Sequence, residues 1–329
     1  MTFLHADDWY RARLAPPHGP VRVVIDTDTA NEIDDQFALA WALLSPALQV
    51  EAVYAAPFSF AHRRAQLPGA PADAPPFNPP GEGMRRSEAE IRRIFSVLGV
   101  PSAGRVFAGS ERYLPDLQHP VTSAAADHLV AAALAAPEDQ PLYVLALGCA
   151  TNIASALLLA PEIAERVVVV WTSGYPSTAA HANDSFNLEQ DLAASQHLLD
   201  CGVPLVYLPG FHVGAQLRLS KAEMEQHVRG HGAIGDALHG LFTANPLWTI
   251  LPVDRARPYS WVIWDLICVA WVLQPRWVPS TLVRAPRLDR DKHWRPDPGR
   301  HLMREAFGVD RDAIFNDFFS KLPARTAQP

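Results

Sequence analysis

The fold is decided by the stretch Val21-Arg-Val-Val-Ile-Asp-Thr-Asp-Thr-Ala-Asn-Glu-Ile-Asp-Asp-Gln-Phe-Ala-Leu-Ala-Trp41, an apolar run that leads through aspartates into a helical pattern. The β-branched run from Val23 to Ile25 predicts a strand buried on both faces, and apolar side chains recur at helical spacing from Phe37 to Leu43. Carboxylates crowded at such a turn repel one another unless a cation compensates them, and oxygen-only ligands favour Ca²⁺ or Mg²⁺. The stretch therefore predicts a hard-cation site at the carboxyl end of a strand, formed by Asp26, Asp28, Asp34 and Asp35.

Part of this acidic pattern has a structural alternative. Asp34 or Asp35 can cap the following helix, because acidic side chains accept hydrogen bonds from the free amides of a helix N-terminus. That alternative leaves Asp26 and Asp28 without partners at the end of a buried run. A functional site is therefore the better interpretation of the whole pattern.

Composition and charge exclude several functional classes. The chain has 329 residues, of which 49% are hydrophobic and 19% charged, and its formal net charge is -7. Basic residues form only short pairs, whereas a nucleic-acid partner would require a clustered cationic face. The cysteines Cys149, Cys201 and Cys268 have no metal-ligand or redox spacing, so we expect buried free thiols. The acidic N-terminal residues and the lack of a long apolar run predict a cytoplasmic protein without membrane contact.

Strand and helix patterns alternate along the chain. Such alternation predicts parallel βαβ units with helices on both sheet faces, and ligands in these sheets bind at the carboxyl ends of the strands. We expect a single α/β domain over residues 1–329, with a mostly parallel central sheet flanked by helices, a helical C-terminal part, and a long Pro-rich loop at residues 61–84 over the site. Further strands are predicted at residues 49–56, 106–108, 142–147, 166–172 and 204–208. Helices are predicted at residues 87–98, 123–136, 152–159, 192–200, 222–229, 235–241, 262–273 and 311–322.

Four segments carry a resemblance to a known family. The acidic stretch resembles the signature Asp-x-Asp-Pro-Gly-x-Asp-Asp of the inosine-uridine-preferring nucleoside hydrolases. Further segments resemble that family in the same order along the chain, namely Leu147-Gly-Cys-Ala-Thr-Asn-Ile-Ala154, Trp171-Thr-Ser-Gly-Tyr175 with Ser185-Phe-Asn-Leu-Glu-Gln-Asp191, and Trp264-Asp-Leu-Ile-Cys-Val-Ala270. The resemblance implies a nucleoside hydrolase-like fold with a Rossmann-like core, a small-molecule nucleoside substrate, and a homo-oligomer, either a dimer or a tetramer.

The same resemblance implies roles for individual residues. It implies a Ca²⁺ site in which Asp28, Asp35 and Asp265 provide carboxylates and Leu147 provides a backbone carbonyl. It also implies that Asp28 is the catalytic base for water attack on an N-glycosidic bond. Asp265 is a lone charge in an apolar run, which agrees with a ligand role because such a charge needs a partner. The expected substrate-binding residues are Asp26, Asp34, Asn187, Asn183, Glu32, Asn31 and Glu82.

The chain also departs from the family pattern. The turn between Asp28 and Asp34 is two residues longer, so Asn31 and Glu32 are expected to enter the pocket, and the Pro-rich loop can supply Glu82. The preferred base and the acid that protonates the leaving group are left open. Because neither a Gly-rich phosphate loop nor a basic cluster accompanies the site, we expect that no phosphate is required on the substrate.

Two other functional classes are compatible with parts of the pattern. A nucleoside- or ribose-binding protein would keep the cation site without turnover. The segment Asp26-Thr-Asp28 also resembles the nucleophile motif of aspartate-dependent phosphatases, although Ala30 stands where that motif has Thr or Val. An EF-hand is excluded, because Asn31 and Phe37 replace the Gly and Glu that its loop requires.

Overall fold

A central sheet of eight strands organises the computed structural model, which describes residues 5–71 and 73–324. The strand order is β3-β2-β1-β4-β5-β6-β12-β9; all neighbours in the sheet are parallel except β12 and β9. Two short antiparallel pairs, β7 with β8 and β10 with β11, lie outside this sheet. The strands are β1 Val21–Thr27, β2 Leu48–Ala55, β3 Val106–Ala108, β4 Leu142–Ala146, β5 Val167–Ser173, β6 Leu205–Pro209, β7 Arg218–Ser220, β8 Ser260–Val262, β9 Ser280–Arg284, β10 Arg287–Leu288, β11 Trp294–Arg295 and β12 Leu302–Ala306.

Helices cover the sheet and enclose two apolar cores. Along β1, Val23 and Ile25 belong to one core while Val24 belongs to the other, so the strand is buried on both faces as its sequence predicts. The expected mostly parallel α/β fold is therefore confirmed. The helices are α1 Asp7–Arg13, α2 Asp34–Leu43, α3 Pro80–Val97, α4 Ala124–Leu134, α5 Thr151–Leu159, α6 Phe186–Glu189, α7 Leu192–Asp200, α8 Lys221–His227, α9 Gly232–Thr243, α10 Leu266–Leu273 and α11 Arg311–Lys321.

The packing of α10 against α2 positions the acidic residues. Helix α2 begins at Asp34, directly after the turn that follows β1, and α10 begins one residue after Asp265. Both helices pack into the same core, and nearly every side chain of α10 is buried. Residues far apart in the sequence therefore meet at the carboxyl end of β1.

The structure corrects several predicted boundaries. Helix α3 begins at Pro80 rather than at residue 87. A proline is tolerated in the first helical turn, and Gly81 and Gly83 are buried in this part of the helix. The helix predicted at residues 262–273 begins only at Leu266, since Ser260–Val262 pairs with Arg218–Ser220 as a strand. The sequence interpretation also missed the late strands that complete the sheet, β9 and β12.

Two global expectations concern thiols and membranes. All three cysteines are free; Cys149 and Cys268 are buried as expected, whereas Cys201 is partly exposed. Among the described residues, none of the helices combines the length and the apolar character needed to cross a bilayer.

Candidate active site

A cavity of about 440 Å³ opens at the carboxyl ends of the sheet strands. Its most buried side consists of carboxylates that are at most 4% exposed, and we call this set the acidic floor: Asp28, Asp34, Asp35 and Asp265. Its more exposed side contains basic and aromatic residues, and we call this set the rim: Arg63, Phe186, Phe211, Arg218, Trp261 and Trp264. The cavity thus combines a charged interior with an entrance of mixed aromatic and cationic character.

Three carboxylates of the acidic floor are arranged as a possible cation site. One oxygen each from Asp34, Asp35 and Asp265 lies within 4.8 Å of the others. No lysine or arginine among residues 5–71 and 73–324 forms an ion pair with them. Burial, followed by repulsion from neighbouring carboxylates, raises the pKa of Asp34 and Asp265 well above the usual range. A buried donor set made only of oxygens fits a hard cation such as Ca²⁺.

Asp35 is held by a hydrogen bond from the end of β1. Burial raises its pKa to about 6, while a hydrogen bond from the Thr27 hydroxyl acts in the opposite direction. Thr27 is the last residue of β1, so the strand end itself orients the carboxylate. Its sequence position and its contacts agree with a ligand role.

Asp28 occupies the same cavity beside this trio. Its pKa is raised well above the usual range by burial and then by the charge of Asp35. The side-chain amide of Asn31 donates to Oδ2 of Asp28 at 3.0 Å, so the longer turn supplies a residue that orients the carboxylate. A Cβ on Gly148 would lie 2.9 Å from Oδ1 of Asp28, and this position therefore excludes a side chain.

The backbone carbonyl of Leu147 also reaches the cavity. Nδ2 of Asn187 donates to this carbonyl at 2.6 Å and, more weakly, to the carbonyl of Thr172 at 3.3 Å. All three residues line the cavity. Asn187 therefore connects the carbonyl expected to bind the cation with the region expected to bind the sugar.

Glu32 enters the cavity as its position in the longer turn predicts. Nε1 of Trp261 donates to Oε1 of Glu32 at 2.6 Å, so the indole and the carboxylate hold each other in place. Burial raises the pKa of Glu32 to about 7. This contact joins a carboxylate of the turn that follows β1 to the aromatic residues of the rim.

Three of the expected substrate-binding residues do not line the cavity. Asp26 is fully buried behind it, where its Oδ1 accepts a hydrogen bond of 2.8 Å from Asn152. Asn183 is fully buried beneath Gly174, whose φ of 61° is in the left-handed region. Glu82 lies in the first turn of α3 and forms an ion pair with Arg85 at 3.1 Å. The structure therefore places these residues behind or beside the site.

Other cavity residues were not identified from the sequence. Phe186 and Trp264 directly precede Asn187 and Asp265, so their position in the family-like segments was a usable signal. Arg63 and Arg218 carry no local signal, because they come from unrelated segments that meet only in the fold. No histidine is found among the described residues that line the cavity.

Comparison with known proteins assigns the chain to a family. The model of the inosine-uridine preferring nucleoside hydrolase family matches residues 80–315, which is most of the chain, so the protein belongs to this family. It is accordingly a hydrolase that acts on N-glycosyl compounds. No curated protein sequence matches the chain.

Solved structures show the same fold at low sequence identity. A plant nucleoside hydrolase, PpNRh1, is 19% identical with a TM-score of 0.65, covering 93% of this chain and 99% of its own. A purine-preferring ribonucleoside hydrolase from Gardnerella vaginalis is 18% identical with a TM-score of 0.64, covering 92% of this chain and 98% of its own. The type III effector protein XopQ, solved in complex with adenosine diphosphate ribose, is 15% identical with a TM-score of 0.63, covering 95% of this chain and 96% of its own.

Proposed function

We propose that this protein is a Ca²⁺-dependent nucleosidase that hydrolyses the N-glycosidic bond of a ribonucleoside or a related N-riboside to ribose and free base. The observation that carries the proposal is the acidic floor, where four buried carboxylates, with no basic partner in the described part of the chain, face one cavity with aromatic walls. By resemblance to the family we also propose a homo-oligomer, either a dimer or a tetramer.

The cation site draws on residues from three segments of the chain. Asp35 and Asp265 belong both to the set implied by the family resemblance and to the trio found in the structure, and Asp34, Asp28 and the Leu147 carbonyl lie beside them. Ca²⁺ accepts six to eight oxygen ligands, so all of these groups and solvent can share it. When bound, the ion supplies positive charge that acidifies a nearby water and holds vicinal hydroxyls.

Asp28 is proposed as the catalytic base. Its ionised form, which a neighbouring cation favours, takes a proton from the water that attacks the anomeric carbon. The bond between that carbon and the nucleobase nitrogen breaks, and its electron pair leaves with the nucleobase. The nucleobase takes up one proton from solvent, and Asp28 returns its proton to solvent. The carboxylates of the acidic floor stabilise the positive charge that develops on the sugar, as in other glycoside hydrolyses. Asn31 keeps Asp28 in one orientation through their 3.0 Å hydrogen bond.

The sugar and the base have separate surroundings in this proposal. Asp34, Asn187, Asn31 and Glu32 provide polar groups for the ribose hydroxyls, and the aromatic residues of the rim provide apolar surface for the base. Asp26 supports the site from behind through Asn152 rather than by touching substrate.

The test is a panel of purine, pyrimidine and nicotinamide ribosides, assayed for reducing sugar with the Ca²⁺-loaded and the chelator-treated protein. We expect cleavage of at least one riboside, lost on chelation and restored by Ca²⁺. Binding of every riboside without cleavage would instead identify a binding protein. A phosphoenzyme formed in Mg²⁺ would identify a phosphatase.

A further inference from the structure

The fold brings to the rim two arginines that the sequence did not show as a basic cluster and that hydrolysis of a neutral nucleoside does not require. Arg63 lies in the 3-10 turn Ala61–Gln66, and Arg218 is the first residue of β7. Both side chains line the cavity that contains the acidic floor. A cavity with a negative interior and a positive entrance is suited to a ligand whose own charge is uneven.

Arg63 is held in a fixed orientation. Its Nε donates to Oε1 of Glu189 at 2.5 Å, and Nη2 donates to the backbone carbonyl of Asp184. Its guanidinium carbon lies 5.3 Å from the ring centroid of Phe186, while the side chain of Asp184 interacts with Tyr175 instead. A guanidinium already held in place loses less conformational entropy when it binds an anion.

The partner of Arg63 does not neutralise this part of the rim. The Glu189 side chain is 7% exposed and also accepts hydrogen bonds from Nζ of Lys292 at 2.7 Å and from Nε2 of His62 at 3.2 Å. Burial acts to raise the pKa of Glu189, but these hydrogen bonds and the charge of Arg63 lower it to about 2. At Glu189, one negative charge thus faces the two permanent positive charges of Arg63 and Lys292.

Arg218 has no carboxylate partner in the described part of the chain. Its side chain is exposed, and Nη1 makes only a long hydrogen bond of 3.4 Å to Oγ of Ser260 on the paired strand. Ser260 lines the cavity as well. The guanidinium is therefore available to an anionic group of the ligand.

We propose that the preferred substrate is a riboside that carries a phosphate ester on its 5′ oxygen, and that Arg63 and Arg218 bind this phosphate. The inference rests on the proposed function, in which the acidic floor holds the 2′ and 3′ hydroxyls and the anomeric carbon carries the base. The 5′ carbon is then the remaining position from which a substituent can extend. Phosphate suits a cavity entrance lined by guanidinium groups, because its oxygens accept charge-assisted hydrogen bonds from them.

The experiment compares a nucleoside with its 5′-monophosphate, for whichever base the protein cleaves. We expect kcat/KM to be at least about tenfold higher for the monophosphate, and we expect this preference ratio to fall roughly 10- to 100-fold in Arg218→Ala. Arg290→Ala is the matched control, since Arg290 is also an exposed arginine without a described ion pair but lies outside the cavity. It should leave the preference ratio unchanged.

Two results would overturn the inference. Equal kcat/KM for the nucleoside and the monophosphate contradicts it, and so does a preference that survives in Arg218→Ala and in Arg63→Lys. If no riboside is cleaved, the proposed function fails, and calorimetry with ribose 5-phosphate and ribose still tests the arginines. Tighter binding of ribose 5-phosphate that is lost in Arg218→Ala supports the phosphate site, whereas equal binding of both sugars rejects it.

Discussion

The acidic floor and the rim of the cavity are built in different ways. Three of the four floor carboxylates, Asp28, Asp34 and Asp35, come from one strand-to-helix turn, and Asp265 joins them because its helix packs against α2. The rim residues come from several short elements and connections outside the main sheet, namely Arg63, Phe186, Phe211, Arg218, Trp261 and Trp264. The floor therefore depends on local sequence and core packing, whereas the rim depends on how distant loops meet.

This difference suggests a division of roles. Every floor carboxylate is fixed by a strand end or a helix start, which suits groups that must hold a cation and a water in one geometry. The rim lies on short elements and connections outside the main sheet, where sequence can vary with less effect on the fold. Changes in the floor should therefore alter turnover and metal binding, and changes in the rim should alter which substrate is preferred.

The largest expected effect is that of Asp28→Asn on turnover. The amide keeps the shape of the side chain and an oxygen ligand but cannot accept the proton of water, so kcat should fall by roughly 10²- to 10⁴-fold. Steady-state assays of the best riboside would measure this loss. Circular dichroism and Ca²⁺ titration of the same variant are the controls, and both should show a folded protein that binds the ion.

Normal turnover in this variant would assign the role of catalytic base to another residue of the same site. Normal turnover in Asp28→Asn would show that Asp28 is not the proton acceptor. Asp26→Asn and Glu32→Gln would then be compared, because these two carboxyl groups have pKa values raised to about 7 by burial and lie behind and inside the cavity, respectively.

The second largest effect is expected for Asp265→Asn on metal affinity. Asp265 has only a ligand role in the proposal, so the loss of its charge should raise the Ca²⁺ dissociation constant by about tenfold or more, equivalent to ~1.4 kcal/mol. Titration calorimetry measures the change, and excess Ca²⁺ should restore part of the activity. A variant that binds Ca²⁺ normally but remains inactive would show that Asp265 takes part in the reaction and is not needed as a metal ligand.

A smaller effect is expected for pH on the stability of the metal-free protein. Burial raises the folded-state pKa of Asp26 to about 7 and that of Asp35 to about 6, against an ordinary value of about 4 in the unfolded chain. The folded state thus binds more protons, and the stability that these protonated groups contribute is lost as pH rises through about 6 to 7. Thermal melts should give a lower melting temperature at about pH 7.5 than at about pH 5.

Added Ca²⁺ supplies the control for this pH effect. The ion binds the ionised carboxylates of the floor, so it should raise the melting temperature most at the higher pH and remove the part of the pH dependence that comes from Asp35. A metal-free protein that is more stable at about pH 7.5 than at about pH 5 would show that the floor carboxylates are compensated in another way.

The floor could be predicted from sequence and the arginines of the rim could not, for a physical reason. The run from Val23 to Ile25 and the aspartates after it fix a buried strand and its polar end within a short segment, so local rules suffice. Arg63 and Arg218 reach the same cavity only because the chain folds, and no local pattern marks either residue. The expectation for Glu82 relied on a loop, but the first turn of α3 directs that residue to Arg85.

The smallest expected effect, and the sharpest test of the division between floor and rim, is that of Trp261→Phe. The substitution keeps an aromatic ring at the rim but removes the Nε1 donor that Glu32 accepts at 2.6 Å. Glu32 also interacts with Trp264, so the carboxylate should remain near its place. We expect KM to rise by roughly two- to tenfold with little change in kcat, as for the loss of one hydrogen bond to a charged group that positions the substrate pocket.

Trp248→Phe is the matched control, because Trp248 lies outside the cavity lining and packs against Tyr259. A fall in kcat comparable to that of Asp28→Asn would instead show that Trp261 and Glu32 act together with the acidic floor, and the two regions would then form one catalytic unit.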